Sequence, residues 1–484
     1  MLVDRPKAEV VLRLFGVNLE RQGRGFYVSL EMLAIARGVY LANHEDPERF
    51  AELLDNGART AFKRTSHDLV RRIATNTPVV EGDEELGKAV ELDSPETRET
   101  LHALFSSLLV EIPGRRSQPS WFAAHIYPFV GELIHYDAVE RPIKRRDASS
   151  KNSAKKRKQA AMVAAGAKAP SIERYLFRDG GSWAYKVLRT DSDRDRKEAT
   201  RQSLLDLVQD SGTPLGNLAN ALSAHDFDYD EAPVERSDAE INLHEDLSPW
   251  PDLLREGVRN IVARTAMVPR AKRTESLMHW IPYCLARHQL RLARRKLGAT
   301  APESILVDFG NEATPLRRES QKSLVGFRSD ILKAINIQAQ EMINEIQAAG
   351  DEARKLRYER FAKQGGNAVD SPRGFFSETL AAVGALNAPV GRRHFTMKPP
   401  MLESLVSAAV PQDTEMEFDH FCILLYEKYG LVVENKIAAA SPMAFEVDPS
   451  VLDHNGKAFR EKLAAIGLLT QYSDATSMVR GEPR

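Results

Sequence analysis

FDHFCILLYEKYG (418–430), GKAFREKLAAIG (456–467) and LLTQYSDATSMVRGE (468–482) carry the clearest structural pattern in the chain. Just before and into the first, Thr414-Glu415-Met416-Glu417 has the form of a capping box, in which a hydroxyl and a carboxylate satisfy the first free amides of a helix. Gly430 and Gly467 stand where a residue in the left-handed conformation ends a helix. The last stretch reads as two short strands around a Ser473-Asp474 turn. Upstream, HFTM (394–397) is a short strand, and Pro399-Pro400 opens the helix MLESLVSAAV (401–410).

Three helices followed by a β-hairpin resembles the order of a winged helix. The expected fold is therefore mainly α: a multi-domain helical protein with a winged-helix-like C-terminal domain over 391–484. Residues 247–390 read as a central basic helical domain. Its longest helix starts near Ser320, with Leu324, Phe327, Ile331, Ile335, Met342 and Ile346 at helical spacings until Gly350 interrupts. One apolar strand, ESILVDFG (303–310), lies inside this domain. Residues 171–246 form a small mixed segment, with a strand SWAYKVLRT (182–190) after Gly180-Gly181 and an acidic connector over 223–246. That connector holds nine acids against one base, Arg236.

Residues 141–170 read as a basic linker, because 141–168 carries ten bases against Asp147 and almost no large apolar groups. The first 140 residues read as an N-terminal helical domain. Ser29 is the expected cap of VSLEMLAIARGVYLA (28–42), and Asp46-Pro47 opens ERFAELL (48–54). Ser94-Pro95 opens ETRETLHALFSSLLVEI (96–112), and Pro119-Ser120 precedes a helical WFAAHIYPFVGELIHY (121–136). No internal repeat of a solenoid type is present.

At 484 residues the chain has room for about three compact units, at roughly 150 residues each. Its 67 Lys+Arg against 68 Asp+Glu leave a net charge of −1, so no overall field drives it onto nucleic acid or membrane. An apolar share of 43% excludes a wholly disordered protein. Cys284 and Cys422 are too few for a disulfide framework or a thiolate zinc cluster, and they suit a reducing cytoplasm, the expected location. No apolar run reaches the roughly 18 residues of a membrane helix. The opening MLVDRPKAEVVLRLFG (1–16) lacks the apolar core of a signal peptide.

Function must then lie in local charge. Residues 255–296 hold eleven bases against Glu256 and Glu275. On a helix, Arg287, Arg291 and Arg295 share one face, and such a row can follow phosphates because each guanidinium offers a fork of donors. Arg270, Lys272, Arg273 and Arg294 belong to the same patch. The competing reading is a solvated face, or a dock for acidic partners such as the 223–246 connector. KNSAKKRK (151–158) attracts polyanions without carrying sequence information. The C-terminal domain has ten bases and thirteen acids, so phosphates repel it overall. Its third helix nonetheless offers Lys457, Arg460 and Lys462, and Arg392 and Arg393 precede its first strand.

Asp308 and Glu312, at and beyond the end of an apolar strand, resemble in miniature the carboxylate-bearing strands of RNase H-like nucleases, and PESILVD resembles the internal nuclease strand of RNA-guided endonucleases. That resemblance covers about ten residues and implies a two-metal site, which needs further carboxylates. The other carboxylates cannot be placed in the expected order, so a core strand with a capping Asp is the expected outcome. Glu434-x-Lys436 lacks its partner Asp on a neighbouring strand. DFDYDE (226–231) has Glu231 where a calcium loop needs glycine. The histidines are dispersed, and no phosphate loop, dinucleotide fingerprint, nucleophile elbow or zinc motif is present. No cofactor and no metal are expected.

These features give a non-enzymatic, DNA-associated adaptor subunit of a larger assembly, of the kind found in bacterial DNA processing or antiphage defence. DNA is expected rather than RNA, along with protein partners and no membrane. The alternatives are a metal-dependent nuclease centred on Asp308 and a protein-only scaffold whose opposite charge blocks latch together.

Overall fold

The computed structural model describes residues 6–20, 25–43, 59–62, 95–111, 124–134, 138–142, 168–172, 179–223, 234–264, 268–310, 315–364, 372–387, 392–441, 447–472 and 476–482. Helices α1 (Pro6–Phe15) and α2 (Phe26–Asn43) open it. There follow β1 (Arg59–Phe62), α3 (Pro95–Ser107), β2 (Leu109–Glu111), β3 (Ala124–Ile126), β4 (Ala138–Pro142) and β5 (Lys168–Ile172). Next come α4 (Gly180–Arg189), α5 (Arg194–Val208), α6 (Pro214–Ser223) and β6 (Val234–Ser237). The middle of the chain holds α7 (Trp250–Val262), α8 (Arg270–Lys296), β7 (Ile305–Leu306), α9 (Pro315–Ala348), α10 (Glu352–Gln364), α11 (Pro372–Ala382) and β8 (Leu386–Asn387). It closes with β9 (His394–Phe395), α12 (Pro399–Ala409), β10 (Glu415–Glu417), α13 (Phe418–Tyr429), β11 (Leu431–Val432), α14 (Asn435–Ala439), α15 (Pro449–Ala465), β12 (Leu469–Gln471) and β13 (Ser477–Arg480). The architecture is mainly α, and the small sheets serve as clasps. β10, β13 and β12 form one antiparallel sheet in that order, and β7 pairs parallel with β11.

Helix α8 is the axis of the molecule. Leu277, Met278, Trp280, Ile281, Tyr283, Cys284, Leu285, Ala286 and Leu290 are all buried, covering every face of the helix. With buried residues on every face the helix lies inside, and α1, α2, α4, α7, α9, α11 and α12 pack around it. One hydrophobic cluster runs from Val10 to Val479 and draws residues from 1–140, 171–246, 247–390 and 391–484. A smaller one, with Phe105, Ile126, Leu133 and Ala219, joins α3 to α6.

Pro282 lies inside α8, and its ring nitrogen cannot donate to the Met278 carbonyl one turn back. The Ser29 hydroxyl takes over, donating toward the carbonyls of Met278 at 3.2 Å and Leu277 at 3.1 Å. Ser29 is thus inside α2 and bridges to α8, where the sequence reading had it capping its own helix. Gly180-Gly181, read as a turn before a strand, instead starts helix α4. A Cβ on Gly181 would meet Met32 N at 2.5 Å, so glycine is what lets α4 lie directly on α2.

Two other expectations change. Of the helix expected over 121–136, the described residues 124–134 form β3 and a short 3-10 turn at Gly131–Leu133 instead. Thr414 does not cap α13: its hydroxyl donates to Pro411 O, and Glu415–Glu417 becomes strand β10. Gly430 does end α13, with φ 67°, and Gly467 follows α15 with φ 77°. The hairpin is present as β12 and β13. The ERFAELL stretch, the 151–158 basic run and the DFDYDE segment lie outside the described residues. Among those described, no helix is long and apolar enough to cross a membrane.

Candidate nucleic-acid interface

The basic run 255–296 turns inward. Each helix leaves its last four carbonyls without intrahelical partners and carries partial negative charge there. Buried arginines meet that need repeatedly. Arg37 donates to Val208 O at the end of α5, and Arg255 to Val187 O near the end of α4. Arg273 donates to Val262 O at the end of α7 and pairs with Asp206 at 2.6 Å. Arg264 donates to Ser407 O and Val410 O at the end of α12 and pairs with Glu482 at 2.7 Å.

Arg287, expected on a phosphate-tracking face, is 1% exposed. Its guanidinium donates to Tyr283 Oη at 3.0 Å and to Tyr429 O, the last carbonyl of α13, at 2.9 Å. It stacks over the Trp250 ring at 4.7 Å. Arg291 donates to Ala301 O and Thr300 O and lies 3.5 Å from the buried Glu303. Arg294 reaches Asp330 and the Phe327 ring, and Arg295 is half-buried. Arg270 pairs with Asp206, and Lys272 with Glu275 and Glu403. Arg287, Arg291 and Arg295 therefore do not form an open row.

The acidic connector supplies part of the neutralisation. Asp238 receives both arms of Arg189 at 2.8 Å, and Glu245 pairs with Arg255 at 2.5 Å. Neither Asp238 nor Glu245 pairs with Arg287, and residues 224–233 of the connector lie outside the described residues.

The cationic surface lies elsewhere. A cleft of about 610 Å³ opens between the first half of α9, helix α11 and the strand entering β9. Among the described residues Arg318, Lys322, Arg328, Arg392 and Arg393 line it, against one acid, Glu378. Gln321 Nε2 donates to Arg392 O at 3.2 Å, and Phe395 N donates to Ser320 Oγ at 2.8 Å, so α9 and the strand are fixed to each other. Arg393 bonds Glu378 at 3.0 Å and ties the strand to α11. Lys322 pairs with Glu319. Arg318, Arg328 and Arg392 make no ion pair among the described residues. Partial burial, then the like charges of Arg373 and Arg393, push the Arg328 guanidinium below its ordinary pKa, with Glu378 opposing. A set of like charges held together in this way is relieved when an anion enters. Of the expected site residues, the structure brings Arg392 and Arg393 together here. The three from α9 escaped the sequence reading because acids such as Glu319 and Asp330 alternate with them along the chain.

Around Asp308 the chemistry runs the other way. Its carboxylate is 1% exposed and accepts from Arg317 Nε at 2.8 Å and Gly310 N at 2.9 Å. His394 Nε2 stands 3.4 Å away, and burial, opposed by Asp308, holds the His394 pKa low. Glu312 lies outside the described residues. Among those described, no group of three or more His, Cys, Asp or Glu could hold a metal ion. A two-metal site gathers carboxylates, whereas this carboxylate is held by an arginine and a backbone amide.

On α15, Asn455 Nδ2 donates to Val307 O at 2.9 Å and Val433 O at 2.8 Å, while its Oδ1 accepts from Phe309 N at 2.7 Å. Phe459 stacks on Phe309 at 4.4 Å. Arg460 is held by Asp419 and the Phe418 ring, and Lys457 is exposed. Comparison of the chain with protein-family models, with curated proteins and with solved structures gave no match.

Proposed function

We propose that the protein is a non-enzymatic adaptor that associates with DNA through the cleft between α9, α11 and residues 392–395. The observation that carries this is the set of three arginines there, Arg318, Arg328 and Arg392, with no carboxylate partner among the described residues. Among the described residues, the buried Arg37, Arg255, Arg264, Arg273 and Arg287 each find a carbonyl or carboxylate. Guanidinium groups held unpaired at a concave surface match phosphate oxygens, which they bind as forked donors.

The C-terminal unit we read as a winged helix. What supports this is the order α12, β10, α13, α15, β12, β13, with β11 and the short α14 inserted between α13 and α15, and the sheet order β10–β13–β12. Its third helix is an unpromising reader of bases. One side is bonded to Val307 and Phe309, and the other exposes Asp453 and Glu461 beside Lys457. Protein docking suits this mixed surface better than phosphate contact. Two buried free thiols, Cys284 and Cys422, agree with a cytoplasmic setting.

A fluorescently labelled duplex titrated at low salt tests the adaptor assignment. Wild type is expected to bind, and an Arg328→Ala/Arg392→Ala variant to bind about tenfold more weakly, at roughly 0.5–1 kcal/mol per phosphate contact. No binding of the duplex or of its separated strand by wild type, or equal binding by the variant, removes nucleic acid from the cleft and leaves the protein-only scaffold.

A further inference from the structure

The cationic surface is concave. Duplex DNA presents its information in grooves, and its readers insert something convex, such as a helix about the width of the major groove. A cleft is the complementary shape and takes an object that protrudes, such as a lone strand. Helix α9 sets three cations out in a line: Arg318, Lys322 and Arg328, with Val325 between the last two, recur at helical spacing, covering about 15 Å at 1.5 Å per residue. Arg392 and Arg393 face this line from the opposite wall. Between the two walls the exposed apolar group is Val325, 66% exposed, over the buried Leu324, and among the described residues no aromatic ring lines the cleft. Proteins that grip bases of a single strand do so by stacking them on aromatic side chains. Here the contacts on offer are charge for phosphates and aliphatic surface for sugar.

Building on the adaptor assignment, we propose that the cleft holds one strand of DNA by its sugar–phosphate backbone, without base preference. The bases point out of the cleft and stay available for pairing or for a partner protein. The walls are bonded to each other through Gln321 and Arg392, Ser320 and Phe395, and Glu378 and Arg393, so the cleft is preformed and needs no closure.

The test compares labelled oligothymidylate, a blunt duplex of the same length and oligouridylate at matched salt. The proteins are wild type, Arg318→Ala/Arg328→Ala/Arg392→Ala, and Val325→Glu, which places an acid among exposed arginines without touching the core. Circular dichroism and thermal melting establish that each variant is folded. The expected result is oligothymidylate bound about tenfold tighter than duplex, with the preference lost in the triple variant and weakened in Val325→Glu. Oligouridylate bound no tighter than oligothymidylate agrees with DNA as the strand, and tighter binding overturns that assignment. A duplex bound as tightly as the single strand, and lost in the triple variant, overturns the single-strand proposal while the adaptor assignment stands. Single-strand binding that the triple variant leaves unchanged also overturns it, because the strand then lies elsewhere. If no nucleic acid binds, both fall.

Discussion

Replacing Arg287 by alanine separates a phosphate-tracking helix from a structural one. In the structure its guanidinium makes two hydrogen bonds, to Tyr283 Oη and Tyr429 O, and stacks on Trp250. A hydrogen bond from a charged donor is worth about 1.5–3 kcal/mol, and a desolvated cation–π contact up to about 2. The truncation also strands the last carbonyl of α13 and opens a cavity beside Trp250 and Tyr283. Against these stands relief from desolvating the cation, which offsets a large share. The net expected loss is about 3–5 kcal/mol. Arg287→Lys keeps the charge but loses the fork, and is expected to fall between wild type and alanine. Urea unfolding followed by circular dichroism reads the change as a lower midpoint. Nucleic-acid affinity of the folded Arg287→Ala protein is expected to match wild type. An unchanged midpoint together with weakened binding would refute the reasoning, since it would put Arg287 on the surface.

Three further outcomes follow from the same packing. His288 is fully buried against Ser248 Oγ, and burial, helped by His244, holds its pKa down to about 3. The unfolded chain takes up that proton near pH 6.5 and the folded one does not, so stability falls with pH below about 6.5 by up to about 1.4 kcal/mol per unit for this group. His244, His279 and His394, also held low by burial, steepen the fall. A folded His288→Gln protein should lose stability less steeply between pH 6.5 and 5 in urea melts, and an unchanged slope would exclude His288 as a source. Ser29→Ala is expected to cost about 1–3 kcal/mol by leaving the Met278 carbonyl unsatisfied, and Pro282→Ala should recover part of that by restoring the helix amide. Additive effects in a double-mutant cycle would contradict the coupling. Gly181→Val should destabilise by more than about 1 kcal/mol, because its side chain would enter the backbone of α2 at Met32; a protein as stable as wild type would mean that α4 does not rest there.

What the sequence made legible was periodicity and punctuation. The apolar spacing from Leu324 to Ile346 is the buried stripe of α9, and Gly430 and Gly467 stand at helix ends. The terminal hairpin was readable because its strands are local. Properties set by distant packing were not. SWAYKVLRT is β-branched and aromatic enough for a strand, yet Gly181 serves a close contact with Glu31 and Met32, over a hundred residues earlier. The arginines of α8 formed a face on a helical wheel, but which face meets solvent depends on seven neighbouring helices. A basic run among apolar residues can equally supply caps for the ends of other helices, as Arg255, Arg264, Arg273 and Arg287 do here. The cleft had the reverse problem. Arg392 and Arg393 stand out in sequence, whereas Arg318 and Arg328 share α9 with acids and become a patch only when β9 and α11 are laid beside them.

The salt dependence of binding tests the central claim most directly. Each phosphate contact contributes roughly 0.7–0.9 to the slope of log affinity against log salt, on single or double strands respectively. Arg318→Ala/Arg328→Ala/Arg392→Ala should flatten the wild-type slope by about two to three units, while Arg287→Ala, measured where it is folded, keeps it. A triple variant with the wild-type slope, or an Arg287→Ala protein that loses it, would contradict the account.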